Sequence, residues 1–319
     1  MNVISKYKGC LIGAAVGDAL GMQTEGLNRD EIASVFGVVR DYGRAPISYP
    51  NRKLKKGQYT DDTEQIILLT ESIAEANEFD VEVFATNIKK WGKKLIEKPS
   101  LNRTVGPTSM QAIKNMLSGA CWQDSGLNSD SCGSAMRVAP IGLLSSDIDQ
   151  VVELAALSSR PTHTSTGGIA GAVAIALAVS MNIRDVSIPE LIYNIVSRIK
   201  KIDQTLAESI QKLVTSPAED FFGKNGVSSS VYETVPASFF IFINHIDSFE
   251  DAMITAANIG GDTDSVACMT GAMLGARLGM DAIPRRWVLG LENRGYIERL
   301  AVQLSKLLPC KSFFYGENV

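Results

Sequence analysis

Histidine is almost absent from this chain, and cysteine occurs without pattern. Only His163 and His245 appear among 319 residues, which excludes a histidine-rich metal site within one chain. The five cysteines, Cys10, Cys121, Cys132, Cys268 and Cys310, are odd in number and form no Cys-x-x-Cys pair. That excludes a disulfide framework and a thiolate zinc site, and leaves buried thiols in a reducing compartment. Charge of one sign is lacking as well: 31 Lys and Arg stand against 35 Asp and Glu, for a net −4. A nucleic-acid wrapping surface needs a basic excess, so none is expected. Small anionic substrates need only local positive charge and stay open. Long hydrophobic runs are missing too. The longest, Gly168–Met181, is too short to cross a bilayer and reads as a buried core helix. Met1–Cys10 is polar, and Leu11–Met22 is broken by Gly13, Gly17, Asp18 and Gly21, so no secretory signal is read. The expectation is a cytoplasmic protein with no membrane partner, monomeric by default.

Helical periodicity is what the chain has in abundance. Hydrophobic residues make up 45%, enough for a core and too many for wholesale disorder. In Glu64–Ala76, the residues Ile66, Ile67, Leu69, Ile73 and Ala74 fall on one helical face. Val83, Phe84, Ile88, Trp91 and Leu95 do the same in Val81–Ile96. Further helices are predicted over Ser109–Leu117, Asp149–Leu157, Pro189–Lys200, Thr205–Val214, Val235–Ile243 and Ser248–Ala257. Val266–Leu278, Arg285–Glu292 and Tyr296–Leu308 complete the set. Convincing alternating strands are scarce. No run of strand–helix–strand units, dinucleotide glycine fingerprint, fixed-period repeat or low-complexity tract occurs. No Pro-, Gly- or Ser-rich linker divides the chain, so one all-α domain over residues 1–319 is expected. The glycine-rich helices 168–181 and 266–278, with the small residues of Gly9–Gly21, allow close helix approach at its centre.

Two acidic clusters about 200 residues apart carry the chemistry: Thr60-Asp61-Asp62-Thr63 and Gly260-Gly261-Asp262-Thr263-Asp264-Ser265. Each opens directly into an apolar helical run. Either one alone reads well as a helix start, since Thr and Asp cap helices and acids suit the first turn. Asp61 with Glu64 resembles a capping box. Yet a cap needs one oxygen, and each cluster offers three or four. Gathered carboxylates repel, and a cation relieves the repulsion. All the donors are hard oxygens, which suit Mg²⁺, Mn²⁺ or Ca²⁺. Glycines ahead of Asp262 let the backbone approach a ligand closely.

Other segments are more open. Asp18 lies inside an apolar stretch and needs a partner, with Arg137 a candidate. Glu25 sits in a loop where it can face a ligand. The loop Ser129–Arg137 is dense in small and hydroxyl residues whose N–H groups can cradle phosphate, aided by the helix that follows. His163, in Pro161-Thr162-His163-Thr164-Ser165, is structural or contacts substrate. Arg52–Lys56 is a basic patch in a polar loop, read as solvated surface.

Taken together, GDALG at 17–21, TDDT at 60–63, CGSAMRVAPIG at 132–142, THTS at 162–165 and GGDTDS at 260–265 resemble the ADP-ribosylglycohydrolase family. The resemblance runs from about Lys6 to Leu308. It implies an all-α orthogonal bundle, a single domain with a central metal-binding cleft. It implies a binuclear centre of two divalent cations, Mg²⁺ or Mn²⁺, held by Thr60, Asp61, Asp62, Asp262, Asp264 and Ser265. Ser265 stands where relatives often have Thr and keeps the hydroxyl. Glu25 and Asp62 become the candidates for proton transfer. Ser129, Ser131, Cys132, Gly133, Ser134 and Met136 match the segment that holds the ADP-ribose diphosphate and ribose, and His163 a residue near the nucleotide. Ser131-Cys132-Gly133 stands where many members have Gly-Asn-Gly, a thiol in place of an amide. The implied reaction is hydrolytic release of ADP-ribose from an ADP-ribosylated protein or small molecule. Two other readings remain: a non-catalytic, crystallin-like ADP-ribose binder, and a metal-dependent phosphohydrolase of a nucleotide diphosphate.

Overall fold

The computed structural model describes residues 2–46, 53–213 and 226–307. Among these the chain is all-α, with sixteen helices and no strand. In chain order they are α1 (Val3–Gly21), α2 (Arg29–Phe36), α3 (Asp61–Ala76), α4 (Val81–Glu97), α5 (Pro107–Leu117), α6 (Trp122–Ser125), α7 (Ala139–Gly142) and α8 (Ile148–Ser159). Then come α9 (Thr166–Ile183), α10 (Ile188–Ile199), α11 (Gln204–Leu213), α12 (Val231–Asn244), α13 (Phe249–Ala256), α14 (Thr263–Leu278), α15 (Arg285–Gly290) and α16 (Arg294–Ser305).

The centre is an antiparallel pair, α1 against α14, packed almost backbone to backbone. Gly9, Gly13, Gly17 and Gly21 recur every fourth residue and so share one face of α1. They meet Gly275, Gly271, Ala267 and Thr263 in turn. A Cβ on Gly13 would lie 2.4 Å from the Gly271 carbonyl oxygen, and one on Gly17 would lie 2.0 Å from that of Ala267. Both helices are buried on nearly every side, as their lack of a polar stripe requires.

Beside them, α9 runs through the core. It extends beyond Gly168–Met181 at both ends because the Ser165 hydroxyl accepts the Gly168 N–H at 3.0 Å and starts the helix at Thr166. At 18 residues and mean hydropathy 1.7 it is long and apolar enough to cross a membrane, yet 89% of it is buried within the protein. The expectation of a run too short to cross a bilayer is corrected by this length, while the burial makes it a core helix as read.

Other departures from the sequence are local. The helix expected over Val235–Ile243 begins at Val231, because Ser230 caps it, and Pro236 lies inside it. The short α2 has no apolar period, since only Ile32 is buried; its capping box of Asn28 and Glu31 was the available signal. Val214, Leu308, Cys310 and Arg52 lie outside the described residues. Lys53, Lys55 and Lys56 are exposed, as a solvated loop requires.

The seam places the site. The C-terminal end of α1 touches the start of α14 through Gly21 and Thr263, and Asp18 on the same end of α1 reaches the start of α3. Both acidic helix starts therefore meet at one end of α1.

Candidate functional site

The first acidic segment is assembled by Asp18. Its fully buried carboxylate accepts the backbone N–H of Thr60 at 2.9 Å, the N–H of Thr63 at 3.0 Å and the Thr63 hydroxyl at 2.6 Å. Asp18 is not paired with Arg137, as the sequence had suggested; the open N–H groups at the start of α3 satisfy it instead. Thr60 adds its own cap, its Oγ1 accepting the Asp62 N–H at 3.3 Å. Asp61 and Asp62 then project from the first turn, 4% and 3% exposed. Asp61 Oδ2 accepts Gln65 Nε2 at 2.7 Å, one turn along the same helix.

The second segment is assembled by backbone. Gly260 and Gly261 adopt φ of 81° and 80°, a region that side chains disfavour. The glycine backbone is threaded between residues 26–27 and Val227. Gly261 N–H donates to Leu27 O at 2.8 Å, Gly26 N–H to Gly261 O at 2.8 Å, and Asp262 N–H to Val227 O at 2.7 Å. This delivers Asp262 and Asp264 to the start of α14. Asp262 Oδ2 accepts the Cys132 thiol at 3.3 Å.

The two segments share one cleft of about 450 Å³. Glu25, Asp61, Asp62, Asp262, Asp264 and Ser265 line one wall, and Ser131, Cys132, Gly133 and Met136 another. Four predicted residues stand behind the walls. Thr60 is the helix cap just described. Ser129 Oγ shares a hydrogen bond with Thr108 Oγ1 at 2.9 Å, and Ser134 Oγ donates to Gly168 O at 2.9 Å. His163 is fully buried, with Nδ1 at 2.8 Å from Thr162 Oγ1 and Nε2 at 2.9 Å from Ser131 Oγ. It stands behind the cleft, hydrogen-bonded to Ser131 and packed against Gly133. Burial, then the nearby Arg137 charge, lowers its pKa to about 3 and keeps it neutral. No helix long enough to aid phosphate binding follows the loop: Cys132–Ser134 is one 3₁₀ turn, and α7 has four residues.

Two lining segments were not foreseen. Thr104–Ser109 forms one rim, with Thr104 at φ 68°, and Val227–Ser229 forms another. The Gly106-Pro107 helix start and the Ser228–Ser230 run were the signals available. Arg103 anchors the first rim, with Nη1 at 2.6 Å from Glu292 Oε2 and Nε at 3.3 Å from Glu64 Oε1. Its carbonyl accepts the Asp61 N–H at 3.1 Å, so rim and acidic segment are tied together. Among the described residues, the cleft lining includes no Lys, Arg, His or aromatic ring.

Electrostatics show the clusters acting on each other. Asp61, Asp62 and Asp264 are held well above the usual carboxylate range, first by burial and then by neighbouring carboxylates. Glu25 is the leading charge on Asp61 and Asp264, and Asp18 on Asp62. Asp262 is raised by burial, and the Ser265 hydroxyl pulls both it and Asp62 back down. Asp62 Oδ2 and Asp264 Oδ1 are buried without any hydrogen-bond partner. Buried carboxylates in this number either hold protons or take a cation. Hard oxygens with unfilled lone pairs fit a divalent ion of the Mg²⁺ or Mn²⁺ type. Among the described residues no three acid, thiol or imidazole groups close into a finished cage. The carboxylate oxygens line one cleft without forming such a cage.

Fold and cleft thus define an all-α scaffold with a carboxylate-walled ligand site. The chain belongs to the ADP-ribosylglycohydrolase family, whose sequence model matches residues 1–311. It is 42% identical to an uncharacterized protein of Archaeoglobus fulgidus, over 95% of this chain and 96% of that one. It is 27% identical to mouse ADP-ribosylhydrolase ARH3, over 95% and 92% of the two chains. With the ADP-ribosylarginine hydrolase Tri1 of Serratia proteamaculans the identity is 29%, over 97% and 81%. Among solved structures, an ADP-ribosylglycohydrolase-related protein complex superposes with a TM-score of 0.78 at 26% identity, covering 96% of this chain and 98% of that chain.

Proposed function

We propose that this chain hydrolyses the bond between the anomeric carbon of ADP-ribose and an acceptor, using two Mg²⁺ or Mn²⁺ ions. The observation that carries this reading is the meeting of Glu25, Asp61, Asp62, Asp262 and Asp264 on one cleft, with two carboxylate oxygens left unpartnered. Asp61, Asp62, Asp262, Asp264 and Ser265 would hold the ions, with Thr60 behind them. When bound, the ions supply Lewis acidity and orientation of the ribose hydroxyls. The relatives named ADP-ribosylhydrolase and ADP-ribosylarginine hydrolase support the substrate class.

The chain's own residues do the rest. The Ser131, Thr108 and Ser109 hydroxyls offer neutral donors to a diphosphate, while the Ser131 and Cys132 N–H groups are taken by Ser129 Oγ and Ser229 O. Among the described residues the lining has no cationic side chain, so these neutral donors would meet the diphosphate. Glu25 or Asp62 moves the proton, since each is a carboxylate on the cleft. Water adds hydroxide to the anomeric carbon through an oxocarbenium-like transition state, and the leaving nitrogen or oxygen takes up the proton.

A panel of substrates ADP-ribosylated on arginine, serine or an acyl group, assayed with Mg²⁺, Mn²⁺ or EDTA, tests this reading. Free ADP-ribose should appear only with a divalent ion and should vanish in Asp62→Ala and Asp264→Ala. Activity surviving chelation or either substitution counts decisively against it. Binding of ADP-ribose without release would support the non-catalytic alternative, and AMP with ribose phosphate would mark a phosphohydrolase.

A further inference from the structure

Arg137 is 1% exposed, yet no carboxylate is among its hydrogen-bond partners. A buried guanidinium without a direct counter-charge is costly. A stacking contact with Phe84, 5.3 Å from Cζ to ring centre, offsets only part of that cost. The arrangement of its bonds shows what the charge does. Nη1 donates to Gln65 Oε1 at 2.9 Å, and Gln65 Nε2 donates in turn to Asp61 Oδ2 at 2.7 Å. The amide thus relays the cation to the first acidic segment and occupies one Asp61 oxygen, leaving the other for the cleft.

Of the three remaining bonds, one ties Nη2 to Ser158 O of α8 at 3.2 Å, and two lead toward the Ser131–Gly133 side of the cleft. Nη1 also donates to Gly133 O at 3.1 Å, and Nη2 to Thr162 Oγ1 at 2.6 Å. Thr162 Oγ1 accepts from Arg137 and lies 3.4 Å from Ser159 O and 2.8 Å from His163 Nδ1; with its hydrogen given to the nearer partner, Nδ1 accepts. His163 then carries its proton on Nε2 and donates to Ser131 Oγ at 2.9 Å. This direction of donation is assigned from the network. The Ser131 hydroxyl then keeps its hydrogen to give: it donates to Thr108 Oγ1 on the cleft rim at 3.3 Å, a long bond that an anionic ligand can take over.

We propose that Arg137 is a positioning residue that orients both walls of the cleft, Asp61 through Gln65 and Ser131 through Thr162 and His163. The inference rests on reading the cleft as a cation and ADP-ribose site. Three variants separate its two arms: Gln65→Met cuts the first, Thr162→Val the second and Arg137→Met both. Calorimetry with Mn²⁺ alone reads the first arm, and calorimetry with ADP-ribose at saturating Mn²⁺ reads the second.

Gln65→Met should weaken Mn²⁺ binding about 10- to 100-fold and leave ADP-ribose affinity at saturating ion within about threefold. Thr162→Val should weaken ADP-ribose about tenfold and leave Mn²⁺ unmoved. Arg137→Met should show both losses, and adding Gln65→Met to it should cost no further Mn²⁺ affinity. If Arg137→Met does not fold, the two single-arm variants carry the test. Losses that are absent, or equal for both ligands and proportional to melting temperature, would make Arg137 a plain core residue and overturn the proposal. Wild-type protein that takes up no Mn²⁺ would overturn the functional reading as well. Normal wild-type binding with unmoved variants overturns this inference alone.

Discussion

The starts of α3 and α14 deliver the same chemistry by different physical means. At α3, side chains do the work: Asp18 takes two backbone N–H groups and a hydroxyl, and Thr60 caps the turn. At α14, no side chain caps the helix, and two left-handed glycines thread the backbone between its neighbours. The first start is held by polar groups that can be removed one at a time. The second is held by the absence of side chains, so it breaks when one is added. The glycine seam of α1 and α14 underlies both, since it sets the distance between them.

The comparison can be broken most directly at the seam. Gly17→Ala puts a Cβ 2.0 Å from the Ala267 carbonyl oxygen, so two backbones must part. A loss on the order of 4 kcal/mol in urea unfolding is expected, and an unchanged midpoint would show that the helices are not in backbone contact. Asp18→Ala leaves three buried donors without an acceptor and should cost about 3 kcal/mol, with Mn²⁺ binding lost in parallel. Gly261→Ala, at φ 80° and 1.9 Å from Val227 O, should cost about 2 kcal/mol. Thr60→Ala removes one cap bond and should cost about 1 kcal/mol. A larger effect at Thr60 than at Gly261 would reverse the contrast drawn between the two starts.

A smaller signal comes from pH. His163 is held neutral with a pKa of about 3, against 6.5 when unfolded. Because the folded value is depressed, the unfolded chain takes up the proton first. Stability is therefore fully present above about pH 6.5 and declines as pH falls toward 3, by about 1.4 kcal/mol per unit. Wild type should show this slope relative to His163→Gln in urea titrations between about pH 7 and pH 5. Equal slopes would place a charged imidazole in the core.

Much of this was legible in the primary structure because it is local. Helical periods such as Ile66, Leu69 and Ile73 follow from neighbours three and four residues apart, and all three side chains are buried. The acidic segments stood out as oxygen-rich helix starts. The capping role of Asp18 did not, since its partners lie 42 and 45 residues away. The rims Thr104–Ser109 and Val227–Ser229 escaped for a like reason: short polar loops carry no period, and only long-range packing brings them to the cleft.

By itself, then, the order of residues determined the helices, the family motifs and the hard-oxygen character of the site, because each is written in short-range pattern. Tertiary structure alone decided that Arg137 reaches Gln65 rather than Asp18 and that His163 stands behind Ser131. It also decided that the two acidic starts face one cavity. The last depends on how closely α1 and α14 can approach, and all three on packing between segments far apart in the chain.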